Sequence, residues 1–468
     1  MRCQQIDNMK TEVQSYIHLH EPDILADLTN LVAIPSVSCQ PSHHADMPRC
    51  AELWQQLLLK AGADHAEVMP TEGNPVAFAE KIVDAAAPSV LVYAHYDVMP
   101  AEPLDAWLTS PFALTRIDDV LWGRGADDNK GQSFIQLQAF AYLVAEGLLT
   151  HNVKFLIEGE EEIGSPSLRH FLEDHSQLLQ CSVVLISDTC MLGRNLPSLT
   201  SGLRGLQYWE VEVTGPDKDL HSGLYGGAVA NPINVLCRML ADVVDSDGHI
   251  TLPHFYDDVL PIADAEREQM RRIPFSESEY MSSIGVKALA GEAGYSTLER
   301  NSCRPSFDVC GIWGGETTEG SKTVLPSKAF AKVSCRLMPN QDYRRICKLF
   351  ADYLQSVAPD SVSVKVTPRQ GGAPYFCPPS HPAWHAAVAG FSDAFGKEPI
   401  SIRRGESIGI LSDFEEVLGA KTILMGFGLE SNAIHSPNEN MPLDIFRRGI
   451  HAVVSFHLHY DTQYSAQI

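Results

Sequence analysis

The N-terminal part of the chain carries apolar side chains at helical spacing. Ile24, Leu28 and Leu31 fall on one stripe between residues 8 and 32, and leucines recur in the same way between residues 48 and 61. A recurrence every three or four residues is typical of helices with one buried face. The pattern therefore predicts two helices before the first strand.

Four short runs rich in Val, Ile and Leu follow, and none of them alternates with polar residues. Such runs suit strands that are buried on both faces of a sheet. The runs cover residues 89–94, 153–157, 183–186 and 422–425. A helical segment at 132–146 separates the first two runs. Strands alternating with helices predict an α/β fold with a mostly parallel sheet.

The middle of the chain has a different pattern. Alternating strands are predicted at 207–213, 329–337 and 361–366, and amphipathic helices at 232–244 and 342–357. These elements predict an α+β domain of their own at residues 206–378. The parallel-sheet pattern resumes after Pro378. We therefore expect this domain to be inserted into a discontinuous α/β domain, which comprises residues 1–205 and 379–468.

Side chains that can bind metal ions lie where the four apolar runs end. His95 follows the first run, acidic residues 160–162 follow the second, and Asp188 follows the third. His435 lies one loop after the fourth run, and residues 127–128 are a pair of aspartates in a glycine-rich turn. Because the carboxyl ends of parallel strands meet at one edge of a sheet, we expect these side chains to lie close together.

Each of these residues alone has an ordinary explanation as a packed histidine, a solvated turn or a helix cap. Their joint placement predicts a metal site. Imidazoles and carboxylates without thiolates suit Zn²⁺, Mn²⁺ or Co²⁺. Five such residues exceed the needs of one tetrahedral ion, and a pair of ions about 3.5–4 Å apart accommodates them better. Asp97, two residues after His95, could hydrogen-bond a ligand imidazole.

Composition limits the classes of function. A formal net charge of −24 over 468 residues argues against a nucleic-acid partner. The 11 cysteines form no C-x-x-C pair, which indicates free thiols in a reducing compartment. The N-terminus lacks the apolar segment of a signal peptide, and no apolar run reaches the roughly 18 residues of a membrane span. We therefore expect a cytoplasmic protein without a membrane partner.

A competing motif spans residues 405–409, which spell G-x-S-x-G around Ser407. This is the nucleophile elbow of serine hydrolases, and an apparent strand precedes it. An elbow must be followed by strands that deliver an acid and then a histidine. Only one convincing strand follows residue 409, so a serine hydrolase is the weaker hypothesis.

Six sequence motifs, in order, resemble those of a known family. They comprise His95-Tyr96-Asp97-Val98, residues 123–131, residues 158–165, Ile186-Ser187-Asp188, His221-Ser222-Gly223 and Ala433-Ile434-His435-Ser436, and the resemblance covers most of the chain, from residue 20 to 460. The family is that of the co-catalytic metallopeptidases, which includes cytosolic non-specific dipeptidase, carnosine dipeptidase, carboxypeptidase G, aminoacylase and succinyl-diaminopimelate desuccinylase. The dipeptidase branch is the most similar.

The resemblance implies a set of ligands for two divalent ions, with zinc as the first choice and manganese as the second. Asp128 would bridge the ions. His95 and Asp188 would hold one ion, and Glu162 and His435 would hold the other.

The resemblance also implies the surroundings of these ligands. Glu161 would be the general base, and Asp97 would orient His95. Asp127 would not be a ligand, and the peptide bond between Asp128 and Asn129 would be cis.

In this family the inserted domain is a lid and a dimer interface. The resemblance implies a homodimer in which His221 reaches the partner's active site and stabilises the oxyanion there. Arg336 would bind the substrate carboxylate. Thr323, Glu406 and Ser407 are further candidates for substrate contacts.

One position departs from the dipeptidase pattern. Arg404 occupies the column of a glutamate associated with the free amino group of the substrate, and Glu406 lies two places on. The sequence predicts a two-metal exopeptidase acting on dipeptides or similar small peptides with a free C-terminal carboxylate. The alternatives are an N-acyl amino acid deacylase of the same family and a non-catalytic metal- or peptide-binding protein. The intact Glu161 argues against the last.

Overall fold

The computed structural model of the protein describes the backbone of residues 2–465 and the side chains of residues 11–460. The chain divides into two compact units. Unit 1 comprises Met1–Ser201, Cys377–Ile402 and Asp413–Ile468, and unit 2 comprises Gly202–Phe376 and Arg403–Ser412. Residues 403–412 were expected in the discontinuous domain, but they group with unit 2. Arg403 forms an ion pair with Glu266, and the Ser407 hydroxyl donates to the Arg204 carbonyl at 2.5 Å.

Helices and strands alternate along most of the chain. The helices are α1 (Arg2–Val32), α2 (Asp46–Lys60), α3 (Lys130–Ala145), α4 (Leu168–Asp174), α5 (Ser222–Tyr225), α6 (Pro232–Ala241), α7 (Asp264–Arg271), α8 (Glu277–Ile284), α9 (Thr297–Ser302), α10 (Tyr343–Val357), α11 (Pro382–Phe395), α12 (Ile410–Asp413) and α13 (Leu443–Ser465). Short 3₁₀ turns lie at Pro41–His43, Leu104–Ala106, Glu161–Ile163 and Glu430–Asn432, and a π-helical turn at Phe414–Leu418. Among the described residues, no helix is both long and apolar enough to cross a membrane.

The strands are numbered in chain order. They are β1 (His65–Met69), β2 (Val76–Lys81), β3 (Ser89–His95), β4 (Thr115–Ile117), β5 (Val120–Trp122), β6 (Asn152–Glu158), β7 (Val183–Ile186), β8 (Ser198–Leu203), β9 (Gly205–Thr214), β10 (Leu220–His221), β11 (Ser306–Gly314), β12 (Val324–Leu325), β13 (Lys328–Leu337), β14 (Ser363–Gly372), β15 (Tyr375–Phe376), β16 (Ile400–Arg404), β17 (Lys421–Leu424) and β18 (Asn440–Pro442). The four predicted apolar runs correspond to β3, β6, β7 and β17.

Unit 1 is built on a mixed sheet with a parallel centre. Its strand order is β1-β2-β6-β3-β7-β17-β8, and β6, β3, β7 and β17 run parallel to one another. Strands β2 and β8 pair antiparallel with their neighbours β6 and β17. Every residue of β6 and β7 is buried, which explains their unbroken apolar sequences. The predicted fold class, an α/β protein with a mostly parallel sheet, is confirmed.

Unit 2 contains a four-stranded antiparallel sheet with the order β11-β13-β9-β14. Alternate residues of β9 are buried, and Trp209 packs with its ring centroid 4.6 Å from that of Phe350 on α10. Leu236 and Met239 on α6 belong to the same core. Fully burying one such side chain stabilises a fold by roughly 1.5–3 kcal/mol. The sheet therefore uses one face to pack α6 and α10.

Candidate metal centre

The central strands of unit 1 carry the predicted ligands to one edge of the sheet. His95 is the last residue of β3, and Asp188 lies two residues beyond β7. The turn Glu161–Ile163 follows β6, and His435 follows the turn Glu430–Asn432 beyond β17. Because these four strands are adjacent and parallel, their carboxyl ends lie side by side.

Two groups of ligand-type side chains form there, and they share Asp128. His95, Asp128 and Asp188 make one group, and Asp128, Glu162 and His435 make the other, with ligand atoms in each group within 4.8 Å of one another. Asp128 Oδ1 lies 3.2 Å from His95 Nε2, and Asp128 Oδ2 lies 2.9 Å from His435 Nε2. All five predicted ligand residues therefore come together, with Asp128 between the two groups.

The buried polar atoms of these groups fit a pair of metal ions. His95 Nε2 lies 3.7 Å from Asp188 Oδ2, and His435 Nε2 lies 3.1 Å from Glu162 Oε2. His95 Nε2 and Glu162 Oε1 are buried and have no hydrogen-bond partner among the described residues. An unsatisfied buried polar atom is costly, and a bound cation would satisfy both atoms. Nitrogen and oxygen donors of this kind match Zn²⁺ or Mn²⁺.

Electrostatics favour a cation at the same place. Hydrogen bonds to Asp128 and then to Glu162 raise the pKa of His435 to about 10. Burial alone would raise the pKa of Asp128, but the neighbouring imidazoles of His435 and His95 bring it below its ordinary value. Burial raises the pKa of Glu161 well above its ordinary value, and nearby carboxylates such as Asp188 raise it further. The crowded carboxylates thus create a strongly negative potential.

Asp97 contacts both His95 and the turn after β6. Its Oδ1 lies 3.3 Å from His95 Nδ1 and accepts a hydrogen bond from the Glu161 backbone N–H at 3.2 Å. Its Oδ2 accepts from the Glu162 backbone N–H at 3.1 Å. The Asp97 side chain is fully buried. One carboxylate therefore fixes the orientation of the His95 imidazole and the backbone of the two glutamates.

The neighbouring acidic residues are structural. Glu158 accepts a hydrogen bond from the Tyr93 hydroxyl at 2.5 Å, and burial raises the pKa of Glu158 to about 7. Glu160 accepts from the backbone N–H groups of Asn74 and Ser167 at 2.9 and 3.1 Å. Because these contacts occupy Glu158 and Glu160, Glu161 and Glu162 are the acidic residues of this run that can bind a metal ion or transfer a proton.

The turn that carries Asp128 has the features implied by the resemblance. The peptide bond between Asp128 and Asn129 is cis. The Asn129 amide donates to Asp188 Oδ1 at 2.7 Å, so it holds a ligand of the first group. Asp127 is buried, accepts from the Asn432 amide at 2.7 Å and belongs to neither ligand group.

Three buried charged residues around this turn were not predicted. Glu439 accepts hydrogen bonds from Arg124 and from the backbone of the turn. Lys130 donates through Nζ to the carbonyls of Leu31 and Ile34 at 3.0 and 2.7 Å, which anchors the end of α1. For Arg124 and Lys130 the sequence signal was a charged residue within a glycine-rich segment, whereas Glu439 lies in a polar segment that carries no such signal.

In unit 2, the pairing of β10 with β12 brings His221 close to Thr323, the residue that precedes β12. His221 in β10 lies opposite Val324 in β12, and the Ser222 N–H donates to the Thr323 carbonyl at 3.1 Å. The Gly223 N–H donates to His221 Nδ1 at 3.0 Å. A neutral imidazole that accepts at Nδ1 carries its proton on Nε2. His221 is exposed, so it presents an N–H donor to its surroundings.

Arg336 and Arg204 form a cationic site around Ser407. Arg336 Nη1 donates to the Ser407 hydroxyl at 2.8 Å, and that hydroxyl donates to the Arg204 carbonyl at 2.5 Å. Burial, and then the charge of Arg336, lower the pKa of Arg204 to about 10. No described carboxylate forms an ion pair with either arginine. Among the described side chains, the Ser407 hydroxyl forms no hydrogen bond with a histidine, which argues against its use as a serine-hydrolase nucleophile.

The predicted substrate ligand Glu406 faces a residue of its own loop. Arg404 Nη1 lies 3.6 Å from Glu406 Oε1, and the Glu406 side chain is half exposed. The Arg404 guanidinium therefore offsets part of the Glu406 charge.

Comparison with known proteins identifies the family. The sequence model described as Peptidase family M20/M25/M40 matches residues 91–459. The human Beta-Ala-His dipeptidase is 33% identical over 448 residues, covering 92% of this chain and 88% of that protein. The Cys-Gly metallodipeptidase DUG1 of Candida albicans is 30% identical over 94% of this chain and 95% of its own length. The crystal structure of the M20 family metallo-carboxypeptidase Sso-CP2 from Sulfolobus solfataricus matches with a TM-score of 0.80 at 30% identity, over 94% of this chain and 99% of that one. The chain, as its motifs predicted, belongs to peptidase family M20/M25/M40.

Proposed function

We propose that this protein is a metallodipeptidase that hydrolyses the amide bond of dipeptides or similar small peptides with a free C-terminal carboxylate. The observation that carries the proposal is the pair of ligand groups that share Asp128. The relatives described above, a Beta-Ala-His dipeptidase and a Cys-Gly metallodipeptidase, support dipeptides as the substrate class.

In this proposal His95 and Asp188 would hold one ion, Glu162 and His435 would hold the other, and Asp128, which belongs to both groups, would contribute to holding each. Zn²⁺ is the first choice and Mn²⁺ the second, because both accept imidazole and carboxylate ligands. When bound, such a pair of ions lowers the pKa of a water molecule and polarises a carbonyl oxygen.

Glu161 is the general base. Its carboxylate takes the proton of the attacking water and later gives it to the leaving amine. Burial supports this assignment, because a carboxyl group whose pKa is raised holds a proton more readily between the two steps. Asp97 accepts a hydrogen bond from the Glu161 backbone N–H, so it fixes the point from which the side chain of the base extends.

Arg336 binds the substrate carboxylate in this mechanism. A guanidinium without an ion-pair partner can form two parallel hydrogen bonds to a carboxylate. Ser407 holds one end of Arg336, and Thr323 and Glu406 are further candidates for contacts with the substrate.

The active form is a homodimer that associates through unit 2. Support comes from β11, an edge strand on which Val309, Ile312 and Trp313 are each 46% exposed. An unpaired apolar edge is a typical site for association with a second chain. His221 of one subunit then stabilises the oxyanion at the partner's site through its Nε2–H group, a contact worth roughly 3–4 kcal/mol. Exposed thiols such as Cys237 and Cys310 suit a reducing compartment, so we assign the protein to the cytoplasm.

An N-acyl amino acid deacylase is the second candidate. The ion pair between Arg404 and Glu406 favours it, because Glu406 is then less able to bind a substrate ammonium group. The two functions differ in whether a free α-amine is required.

The deciding test loads the metal-free protein with Zn²⁺ or Mn²⁺ and assays dipeptides beside their N-acetylated forms. We expect hydrolysis of free dipeptides that stops on addition of a chelator. Faster turnover of the acetylated substrates would favour the deacylase. Activity that survives chelation would refute both.

Mixed dimers test the use of His221 in trans. Neither His221→Ala nor Glu161→Gln homodimers should be active. Their equimolar mixture should recover about one quarter of wild-type activity, because half of the dimers are mixed and each mixed dimer has one intact site. No recovery at any ratio would refute the trans arrangement.

A further inference from the structure

Glu439 is a buried carboxylate that accepts four hydrogen bonds. Arg124 Nη1 donates to Oε2 at 2.8 Å, and the Gly125 N–H donates to the same oxygen at 3.0 Å. The backbone N–H groups of Asp127 and Asp128 both donate to Oε1 at 2.9 Å. The side chain is fully buried, so no water replaces these donors. A carboxylate with this many donors fixes the backbone around it.

Strand pairing delivers Glu439 to this position. Asn440 in β18 lies opposite Trp122 in β5, and the Gly123 N–H donates to the Glu439 carbonyl at 3.0 Å. The backbone of Glu439 therefore continues the pairing between the two strands. Its side chain then holds the turn that begins where β5 ends.

This arrangement couples two metal ligands. Glu439 accepts a hydrogen bond from the backbone N–H of Asp128, the residue that belongs to both ligand groups. His435 lies four residues before Glu439 on the same segment and approaches Asp128 Oδ2 at 2.9 Å. One segment thus contacts Asp128 twice. Glu439 accepts from the Asp128 backbone N–H, and His435 approaches the Asp128 carboxylate.

We propose that Glu439 is a positioning residue that sets Asp128 and His435 at the separation the metal pair requires. The inference rests on the proposed two-metal function. Without this carboxylate, the N–H groups of Asp127 and Asp128 lose their acceptor, and the turn must shift to find another. Because Asp128 belongs to both ligand groups, such a shift weakens the binding of both ions.

The experiment measures metal binding by Glu439→Gln. A glutamine has the same shape, but its NH₂ group must face either the backbone donors at Oε1 or the arginine side at Oε2. We expect Zn²⁺ affinity, measured by chelator competition on the dialysed protein, to fall roughly 10- to 100-fold. The visible absorption of the Co²⁺-substituted variant should also change. We expect kcat to fall more than KM rises.

A matched control is Glu292→Gln in unit 2. Glu292 is also buried and accepts two hydrogen bonds from Arg304, both at 2.6 Å, with His249 Nδ1 3.2 Å from its Oε1, but it lies outside the turn. This variant should lower the melting temperature and leave metal affinity and the Co²⁺ spectrum unchanged. If Glu439→Gln behaves in the same way, Glu439 is merely structural and the inference is wrong.

A second variant covers the case in which Glu439→Gln does not fold. Glu439→Asp keeps the charge but is shorter, so it cannot reach all four donors. It should bind Zn²⁺ more weakly than the wild type, and wild-type affinity would refute the inference. The wild-type protein tests the proposed function separately, since failure to bind two ions would refute that function itself.

Discussion

Replacement of Glu161 by glutamine should remove catalysis and leave the metal site intact. Glu161 belongs to neither ligand group, although the adjacent Glu162 belongs to the second group. The glutamine keeps the shape of the side chain. It also keeps the backbone N–H that donates to Asp97, so the turn after β6 should not move.

The size of the effect follows from the role of the carboxylate. A positioned general base typically contributes 10²- to 10⁴-fold to a rate, which corresponds to roughly 3–5 kcal/mol of barrier. Glu161 is proposed to act twice, on the attacking water and on the leaving amine, so we expect a loss of kcat near the upper end. Burial disfavours the charged carboxylate, so the neutral glutamine should not lower the stability of the metal-free protein.

The same substitution one residue further along the chain is the control. Glu162→Gln removes a ligand of the second group, and we expect it to bind fewer metal ions after dialysis. Metal content by mass spectrometry and kcat/KM on a dipeptide, measured side by side, separate the two variants. Glu161→Gln should hold two ions and be inactive.

Two results would refute this reasoning. One is a Glu161→Gln variant with kcat/KM within about tenfold of wild type, because removal of a general base typically costs roughly 10²-fold or more. The other is a Glu161→Gln variant that loses metal to the same extent as Glu162→Gln, which would make Glu161 a ligand.

Three further predictions concern stability and assembly. Burial, and then the charge of His151, hold the pKa of His457 well below its ordinary value. Below about pH 6.5, this histidine therefore binds a proton in the unfolded chain but not in the folded chain. As the pH falls, this residue should therefore lower the free energy of unfolding by up to about 1.4 kcal/mol per pH unit. Urea titrations should show that the free energies of unfolding of wild type and His457→Gln diverge in that range. Phe350→Ala should destabilise the core of unit 2 by about 3–5 kcal/mol, whereas Leu224→Ala, at a side chain that is 76% exposed, should change the unfolding midpoint little. If the protein is the proposed dimer, Trp313→Lys should convert it to monomers in light scattering and leave the fold intact by circular dichroism. A dimeric mass in this variant would exclude β11 from the interface.

The ends of the central strands could be predicted from sequence because burial on both faces leaves a clear signal. Residues 183–186 appear as an unbroken apolar run, and the observed strand β7 has the same bounds. The direction of the strands follows from the helices between them, and it places His95 and Asp188 at one edge. A period of two residues similarly predicted β9 and β13 in unit 2.

Other elements left no such signal. Strand β11 is an edge strand whose apolar residues are exposed, so burial does not impose alternation on it. The contact between Arg124 and Glu439 joins residues that are far apart in sequence, and no local pattern specifies it. The grouping of residues 403–412 with unit 2 depends on single tertiary contacts such as that between Ser407 and Arg204.

The acidic residues after β6 show what decides which carboxylates remain for chemistry. Glu158 receives hydroxyl donors and Glu160 receives two backbone N–H donors, so both carboxylates are committed to holding loops. Asp97 is committed in the same way to the N–H groups of Glu161 and Glu162. Among the described residues, no backbone N–H donates to the carboxylates of Glu161 and Glu162 themselves. Glu162 Oε2 lies 3.1 Å from His435 Nε2, and the charges of His95 and Asp188 act on Glu161. The two glutamates are adjacent and chemically identical, so the different roles proposed for them follow from position alone. Glu162 is within reach of His435 and Asp128, and Glu161 is the carboxylate proposed to carry protons.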